Sequence, residues 1–318
     1  MSALLCLVAG AVFTYVAVYY GLFRAARCSW SGTLSGKTAI VTGSSGGIGK
    51  ATALGLAQRG ARVVLACRSQ EKGEAAAFDI RQESGNNQVV FMHLDLSSLK
   101  SVRRFAQTFL QTEPRLDILV NNAGVMSPGR TEDGFGMALG VNHLGHFLLT
   151  NLLLERLRRC GPSRVVTVAA LLHRLGRVDF ALLASRKDLV PGESTWSSFR
   201  AYCSSKLCNV LFSRELANRL EGTAVTCYSL HPGLVYSDLG RSLSVWLQLL
   251  LLPLAKLFFA DAEGGSQTVL HCALREGIEP LSGRYFSSCA LQQVGAPGRD
   301  DAVAKKLWEV SERLTGLS

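Results

Sequence analysis

Charge is missing from the first 23 residues: no Asp, Glu, Lys or Arg precedes Arg24. The run Met1 to Phe23 is apolar for long enough to cross a bilayer, which takes about 20 residues, and Tyr15, Tyr19 and Tyr20 suit an interface. Arg24 and Arg27 follow the run, whereas a signal peptide carries its positive charge ahead of it. An N-terminal anchor over 1–23 is therefore expected. The positive-inside rule turns the rest of the chain to the cytosol, at the endoplasmic reticulum membrane. A cleaved signal peptide, with a secreted or lumenal domain, is the competing reading. No N-x-S/T sequon supports passage through the lumen. The nine cysteines are an odd count and include no CxxC pair. Neither a disulfide framework nor a metal site is expected, and a reducing compartment fits best. Cys203 and Cys208 read as packing residues. No basic run with interleaved aromatics occurs, so nucleic acid is excluded as a partner despite a net charge of +10. That charge suits an anionic membrane surface or an anionic cofactor. Internal repeats and low-complexity segments are also lacking.

What is present is a folded composition: 318 residues, 48% hydrophobic and 18% charged. After a linker over 24–36, one domain is expected over 37–318. Apolar strands are predicted at Thr38–Thr42, Arg62–Cys67, Val89–Leu94, Ile118–Asn121, Arg164–Ala169 and Thr223–Leu230. Helical patterns separate them at Gly47–Gln58, Glu71–Ser84, Leu99–Gln111, Met137–Leu157, Phe199–Leu220 and Glu263–Leu274. Strand and helix in alternation predict an α/β domain with one parallel sheet covered on both faces.

The first turn of that pattern, I-V-T-G-S-S-G-G-I-G-K from Ile40 to Lys50, carries the first chemistry. Glycines at 43, 47 and 49 follow a strand and open a helix, and a second strand comes next. A backbone without Cβ atoms can turn tightly and approach a pyrophosphate, and the helix then points its free N–H groups at the phosphates. Gly43, Ser45, Gly47, Ile48 and Gly49 are the candidate contacts of a Rossmann-type dinucleotide site. Arg68, just past the second strand, stands where an acid would hold free ribose hydroxyls. With no acid until Glu71, the site favours a 2′-phosphate and hence NADP(H). Asp95 has two open roles, one on the adenine amino group and one as cap of the helix starting near Ser98.

Asn121-Asn122-Ala123-Gly124 ends the fourth strand, where small residues and amides suit a floor beneath the cofactor. Asn142 lies in an otherwise apolar helical run, where a buried amide needs partners, holds a water or distorts the helix. Tyr202 and Lys206, four apart in Y-C-S-S-K, share one helix face. A phenol has an unperturbed pKa near 10. A neighbouring ammonium is expected to lower it, so that the pair can exchange a proton with an alcohol or carbonyl.

T-G-S-S-G-G-I-G, N-N-A-G, Asn142, Y-C-S-S-K and His231-Pro232-Gly233 occur in the order and spacing of the short-chain dehydrogenases/reductases. The chain resembles that family from about Lys37 to Phe286, and the apolar leader, A-C-R-S and H-P-G-x-V make it similar to the retinol-dehydrogenase branch. The resemblance implies a Rossmann fold, NADP(H), Tyr202 as proton donor or acceptor and Lys206 as its partner and ribose contact. It also implies Asn142 in a proton relay, cofactor contacts at Asn122, Ala123, Gly124, Pro232 and Gly233, and dimerisation through helices.

One position departs from that family. Its members carry a serine after the fifth strand, in a stretch like V-S-S-x-x-H, that holds the substrate oxygen. Here the stretch is V-A-A-L-L-H, and the serine position is Ala170. Thr167 is expected on the strand face opposite Val168, and His173 is the remaining candidate donor. The apolar segment Leu243 to Phe259, a lid over the substrate in the family or else a buried helix, suits a small apolar substrate and could dip into the membrane surface. Gln248, Pro253 and Lys256 argue against a second span. Two functions follow: a membrane-associated NADP(H)-dependent oxidoreductase acting on an apolar alcohol or its carbonyl, or a cofactor-binding pseudoenzyme or scaffold disabled by Ala170.

Overall fold

Thr38–Thr42 forms strand β1, and every one of its residues is buried. Ile40 enters one hydrophobic core while Ala39 and Val41 enter the other. Apolar residues on both faces are what a strand sandwiched between two helical layers requires. The computed structural model describes Cys28 and residues 32–192, 194–233 and 261–317. From β1 the chain runs through α1 (Gly47–Ala57), β2 (Arg62–Cys67), α2 (Gln70–Ser84), β3 (Val89–His93), α3 (Leu99–Thr112) and β4 (Ile118–Asn121). A helical stretch ending in α4 (Gly145–Arg159) leads to β5 (Ser163–Val168), α5 (Phe180–Arg186), α6 (Thr195–Arg219) and β6 (Val225–Leu230). Then come α7 (Ala262–Leu274), β7 (Tyr285–Ser287), β8 (Ala290–Gln292) and α8 (Asp301–Thr315).

The strands form one sheet in the order β3-β2-β1-β4-β5-β6-β7-β8. All neighbours are parallel except β7 and β8. The chain moves outward from β1 to β3 and then returns to place β4 on the other side of β1. That reversal opens a crevice at the carboxyl ends of β1 and β4, where an open α/β sheet binds its ligand. Ion pairs occupy the opposite edge. Lys37 and Arg115 both meet Asp117, and Arg62 grips Glu113 through two nitrogens. Helices α1, α2 and α7 cover one face, with Gly55 of α1 so close to Leu270 that an added Cβ would stand 2.6 Å from its methyl carbon. Phe105, Phe109, Phe147, Phe212 and Trp308 fill the other.

The predicted parallel sheet and its six strands are present, with ends displaced by at most two residues. The β7–β8 hairpin, α5 and α8 were not predicted. Strands of three residues are too short to show a period. Helix α8 did carry cap signals, since the Asp300 side chain accepts from Val303 N–H and Gly316 closes the helix in the left-handed conformation. The expectation of one helix over Met137–Leu157 needs correction. Met137–Leu139 passes into a π turn at Gly140–Leu144 before α4 begins. Helix α6 starts four residues ahead of its predicted start, where Ser194 caps it through Ser197 N–H.

The expectation of no disulfide is also corrected. Cys28 and Cys289 are bonded, with Cα atoms 6.4 Å apart. A separation of 261 residues leaves no spacing signal for sequence to show. These sulfurs and His271 form the one grouping with metal-ligand spacing among the described residues, and the sulfurs are committed to each other. The run Met137–Arg159 is long and apolar enough to cross a membrane by composition, yet it is largely buried inside the domain. The expected anchor over 1–23 and the segment 243–259 lie outside the described residues.

Candidate active site

The glycine turn leaves β1 through Gly43 at φ +65° and enters α1 through Gly47 at φ +53°, both in the left-handed region. An added Cβ at Gly43 would stand 2.9 Å from Ala123 Cα, and one at Gly49 would collide with the Gly43 carbonyl. Helix α1 has neither a side-chain cap nor an acid in its first turn. Its amino end therefore offers free N–H groups and a positive dipole to an anion. Ser44 is turned inward and donates to Val41 O at 2.8 Å, while Ser45 and Ile48 are only half-buried. The residues present fit a dinucleotide pyrophosphate.

The asparagine floor is tied to the same turn. Asn122 donates from Nδ2 to Thr42 O at 2.8 Å, and the N–H groups of Asn122 and Ala123 both donate to Thr42 Oγ1, at 2.9 and 3.0 Å. Arg68 is exposed past β2 and forms no ion pair among the described residues. Asp95 does not cap α3. Ser98 is the cap, accepting from Ser101 N–H, and Asp95 accepts instead from the N–H and hydroxyl of Ser97. A serine directly ahead of the first helical residue reaches the free N–H groups, whereas Asp95 stands too early. Pro232 and Gly233 follow β6 at the same edge of the sheet, Gly233 at φ +87°.

Tyr202 and Lys206 lie side by side on α6, with Lys206 Nζ 5.6 Å from the centre of the phenol ring. Both are buried, and Lys206 donates to Val168 O at 2.9 Å. Asn142 projects from the π turn and uses all its side-chain atoms. Its Oδ1 accepts from Val125 N–H at 2.8 Å, and its Nδ2 donates to Val125 O at 3.0 Å and to Ser205 Oγ at 2.9 Å. Lys206 and Asn142 converge on Gly124, where a Cβ would lie 3.2 Å from Lys206 Nζ and 3.7 Å from Asn142 Oδ1. Burial pushes the Tyr202 phenol up to about 12 and the Lys206 ammonium down to about 8. The phenol is therefore not lowered as expected in the free protein: burial raises it, and the neighbouring Cys203 raises it further.

Ala170 follows β5 in extended conformation (φ −151°, ψ 157°) at the start of the turn Leu171–Leu175, and its side chain offers no cap. His173 does not replace the missing hydroxyl. Its Nδ1 donates to Ala170 O at 2.7 Å, which leaves Nε2 a buried lone pair. Thr167 is buried with no partner for its hydroxyl. A cavity of about 230 Å³ opens between the loop after β4 and the start of α6, rimmed by Ser127, Arg130, Met137, Asp188, Val190 and Ala201.

Sequence reasoning missed His146, although the argument that singled out Asn142 applied to it as well: a polar ring in an apolar helical run. His146 Nε2 lies 2.8 Å from Thr42 Oγ1, and its Nδ1 lies 3.1 Å from Asn142 O. Thr42 already accepts two N–H groups, so its own proton goes to Nε2. Nδ1 then holds the ring proton and donates it to Asn142 O. One neutral ring thereby joins the cofactor turn to the π turn. Burial holds His146 at about 4 and His143 at about 3, both below the ordinary 6.5. Between those values the unfolded chain binds more protons than the folded one. Stability is therefore expected to fall as pH drops from 6.5 towards 4, by several kcal/mol in all at about 1.4 kcal/mol per tenfold change in proton affinity. Urea midpoints at pH 7 and pH 4.5 check this, and His146→Gln should flatten part of the slope. Equal slopes in the two proteins would contradict a neutral, bonded His146.

Residues 37–187 match the family described as short chain dehydrogenase. Dehydrogenase/reductase SDR family member 13 from Homo sapiens is 59% identical over 304 residues, covering 95% of this chain and 79% of that relative. Retinol dehydrogenase 11 from Mus musculus is 51% identical over 294 residues, covering 91% of this chain and 90% of that relative. Among solved structures, the NADP active-site complex of RhlG from Pseudomonas aeruginosa aligns with a TM-score of 0.62 at 28% identity, over 80% of this chain and 95% of that one. With this fold and the glycine turn, these relatives establish that the chain belongs to the short-chain dehydrogenases/reductases and is related to the retinol dehydrogenases.

Proposed function

We propose that the protein is a membrane-associated NADP(H)-dependent oxidoreductase that interconverts an apolar alcohol and its aldehyde or ketone, retinoid-like or another lipid carbonyl. The observation that carries the reading is that Lys206, which lies over the Tyr202 ring, meets Asn142 at Gly124, next to a turn shaped for a pyrophosphate. A bound nicotinamide dinucleotide supplies the hydride. Tyr202 supplies the proton to the carbonyl oxygen, Lys206 provides the adjacent positive charge, and Asn142 fixes the loop after β4 through both backbone atoms of Val125. Arg68 supports the choice of NADP(H), as a cation at the end of β2 where an adenosine 2′-phosphate would lie. The uncharged leader 1–23 supports membrane attachment at the endoplasmic reticulum; the arginines after it favour a cytosolic domain, and the Cys28–Cys289 disulfide favours the lumenal alternative.

Ala170 favours a second reading, a cofactor-binding pseudoenzyme or scaffold, because no donor stands at the family's serine position. One assay set separates the two. Purified protein with NADPH and a panel of retinal and aliphatic aldehydes is expected to turn over, and Arg68→Asp to weaken NADPH binding about tenfold or more while leaving NADH little changed, from the loss of a charge-assisted phosphate contact. No turnover with any aldehyde would favour the scaffold. Equal wild-type affinities for NADPH and NADH would end the assignment of NADP(H).

A further inference from the structure

The Cys28–Cys289 bond sits against one side of α7, where Gln267, Thr268 and His271 stand three and four residues apart. Gln267 Oε1 accepts from the N–H of Cys28 at 3.2 Å, and Thr268 Oγ1 accepts from the N–H of Cys289 at 3.3 Å. Both cysteines are thus seated on α7 by their backbones, independently of the bond between their sulfurs. His271 stands one turn further along, its ring against buried Phe286 with centroids 5.8 Å apart. The two sulfurs and a ring nitrogen of His271 all lie within 4.8 Å of one another. All three residues are half-buried, so an ion can enter from solvent. Cys289 is also held in an uncommon backbone conformation. Ser287 pairs with Ala290, which makes Ser288 and Cys289 a two-residue turn at φ +49° and +58°. Such a turn suits asparagine and glycine, and neither stands here, so Cys289 keeps its place at a conformational cost.

We propose that Cys28, Cys289 and His271 form a redox-exchangeable zinc site: a disulfide when oxidised, and two thiolates with an imidazole around Zn²⁺ when reduced. Zinc takes thiolate and imidazole ligands in a tetrahedron, and its bond lengths set such atoms about 3.5–3.8 Å apart. A small adjustment of this grouping seats the ion once the S–S bond is open, with water in the fourth position. The exchange is balanced in electrons and protons. A thiol reductant attacks one sulfur and a second thiol resolves the mixed disulfide, so the reductant leaves as its own disulfide. Cys28 and Cys289 thereby gain two electrons and two protons. Zinc then displaces both thiol protons to solvent, and the two thiolates cancel its charge. That neutrality matters beside Arg275 and Arg164, the cations that act on His271. In the thiol-rich cytosol the zinc form is the expected one, and in an oxidising lumen the disulfide. In both states the chain just after the leader 1–23 stays fastened to α7 and to the β7–β8 turn.

The test uses the full chain, purified oxidised and then reduced with a phosphine under native conditions. Zinc is added to both forms, unbound metal is removed by gel filtration, and the metal that stays is measured. The reduced protein is expected to retain zinc in equal amount to chain, and the oxidised protein none. Co²⁺ in place of zinc should give the charge-transfer absorption of a thiolate complex. Cys28→Ser keeps every other cysteine, so it reports binding by any other thiol, and it should lose both the metal and the absorption. His271→Ala should keep the absorption and bind zinc at least about tenfold more weakly, since even an outer partner of a metal ligand is worth that much. Equal zinc in the reduced wild type and Cys28→Ser overturns the proposal. So does equal affinity in wild type and His271→Ala, a Co²⁺ complex without thiolate absorption, or a disulfide that resists reduction in the folded protein. None of these measurements needs turnover, so their outcome is independent of the oxidoreductase reading.

Discussion

Tyr202→Phe is expected to lower kcat/KM for aldehyde reduction by about 10²–10⁴-fold, the range that a positioned proton donor contributes. The substitution removes one oxygen and leaves the ring, which is 6% exposed. The ring's stacking under Lys206 survives, so neither the fold nor the cofactor turn is disturbed. NADPH affinity, read by fluorescence titration, should stay within a few-fold of wild type. With burial raising the phenol to about 12, Tyr202 is neutral and holds its proton in the free protein. A tyrosine kept neutral at working pH acts as an acid in reduction without any change of pH optimum. Turnover retained in Tyr202→Phe would remove the phenol from the mechanism and shift attention to a water.

Ala170→Ser is expected to act in the opposite direction and raise kcat/KM by about 10²–10³-fold. That is the usual worth of one preorganised donor to a developing oxyanion, near 3–4 kcal/mol. The residue is half-buried and extended, so a hydroxyl can be added without strain. A competing use for it exists. Ala170 begins the turn Leu171–Leu175 with no side-chain cap, and a serine there can accept from a free N–H of that turn. Kinetics and thermal melting separate the outcomes. A faster enzyme shows that the hydroxyl reaches substrate. A higher Tm with no gain in rate shows that the turn has absorbed it, and would end the argument that the missing serine limits the rate. Together the two substitutions bracket the site, one deleting the proton donor and the other restoring the oxyanion donor.

Much of this was legible in the chain. Gly43, Gly47 and Gly49 are recognisable because only glycine tolerates positive φ and the absence of a Cβ where the turn meets Ala123 and Asn122. Tyr202 and Lys206 are recognisable because a helix puts residues four apart on one face. Asn142 stood out as an amide in an apolar run, and it lies within a π turn, bonded to Val125 and Ser205. The residues that were not legible are those whose roles depend on distant partners. His146 acquires meaning only when Thr42, 104 residues earlier, comes within 2.8 Å. The Cys28–Cys289 bond and its place beside His271 are likewise invisible to spacing.

By itself, then, the sequence determined the alternation of strands and helices, the place of the glycine turn and the pairing of Tyr202 with Lys206 on one helix face, because each follows from local backbone sterics and periodicity. The tertiary structure alone decided the protonation states, the engagement of Asn142 and Lys206, and the meeting of Cys28 and Cys289 with His271. Burial and hydrogen bonding between remote segments set those properties, and neither has a period along the chain.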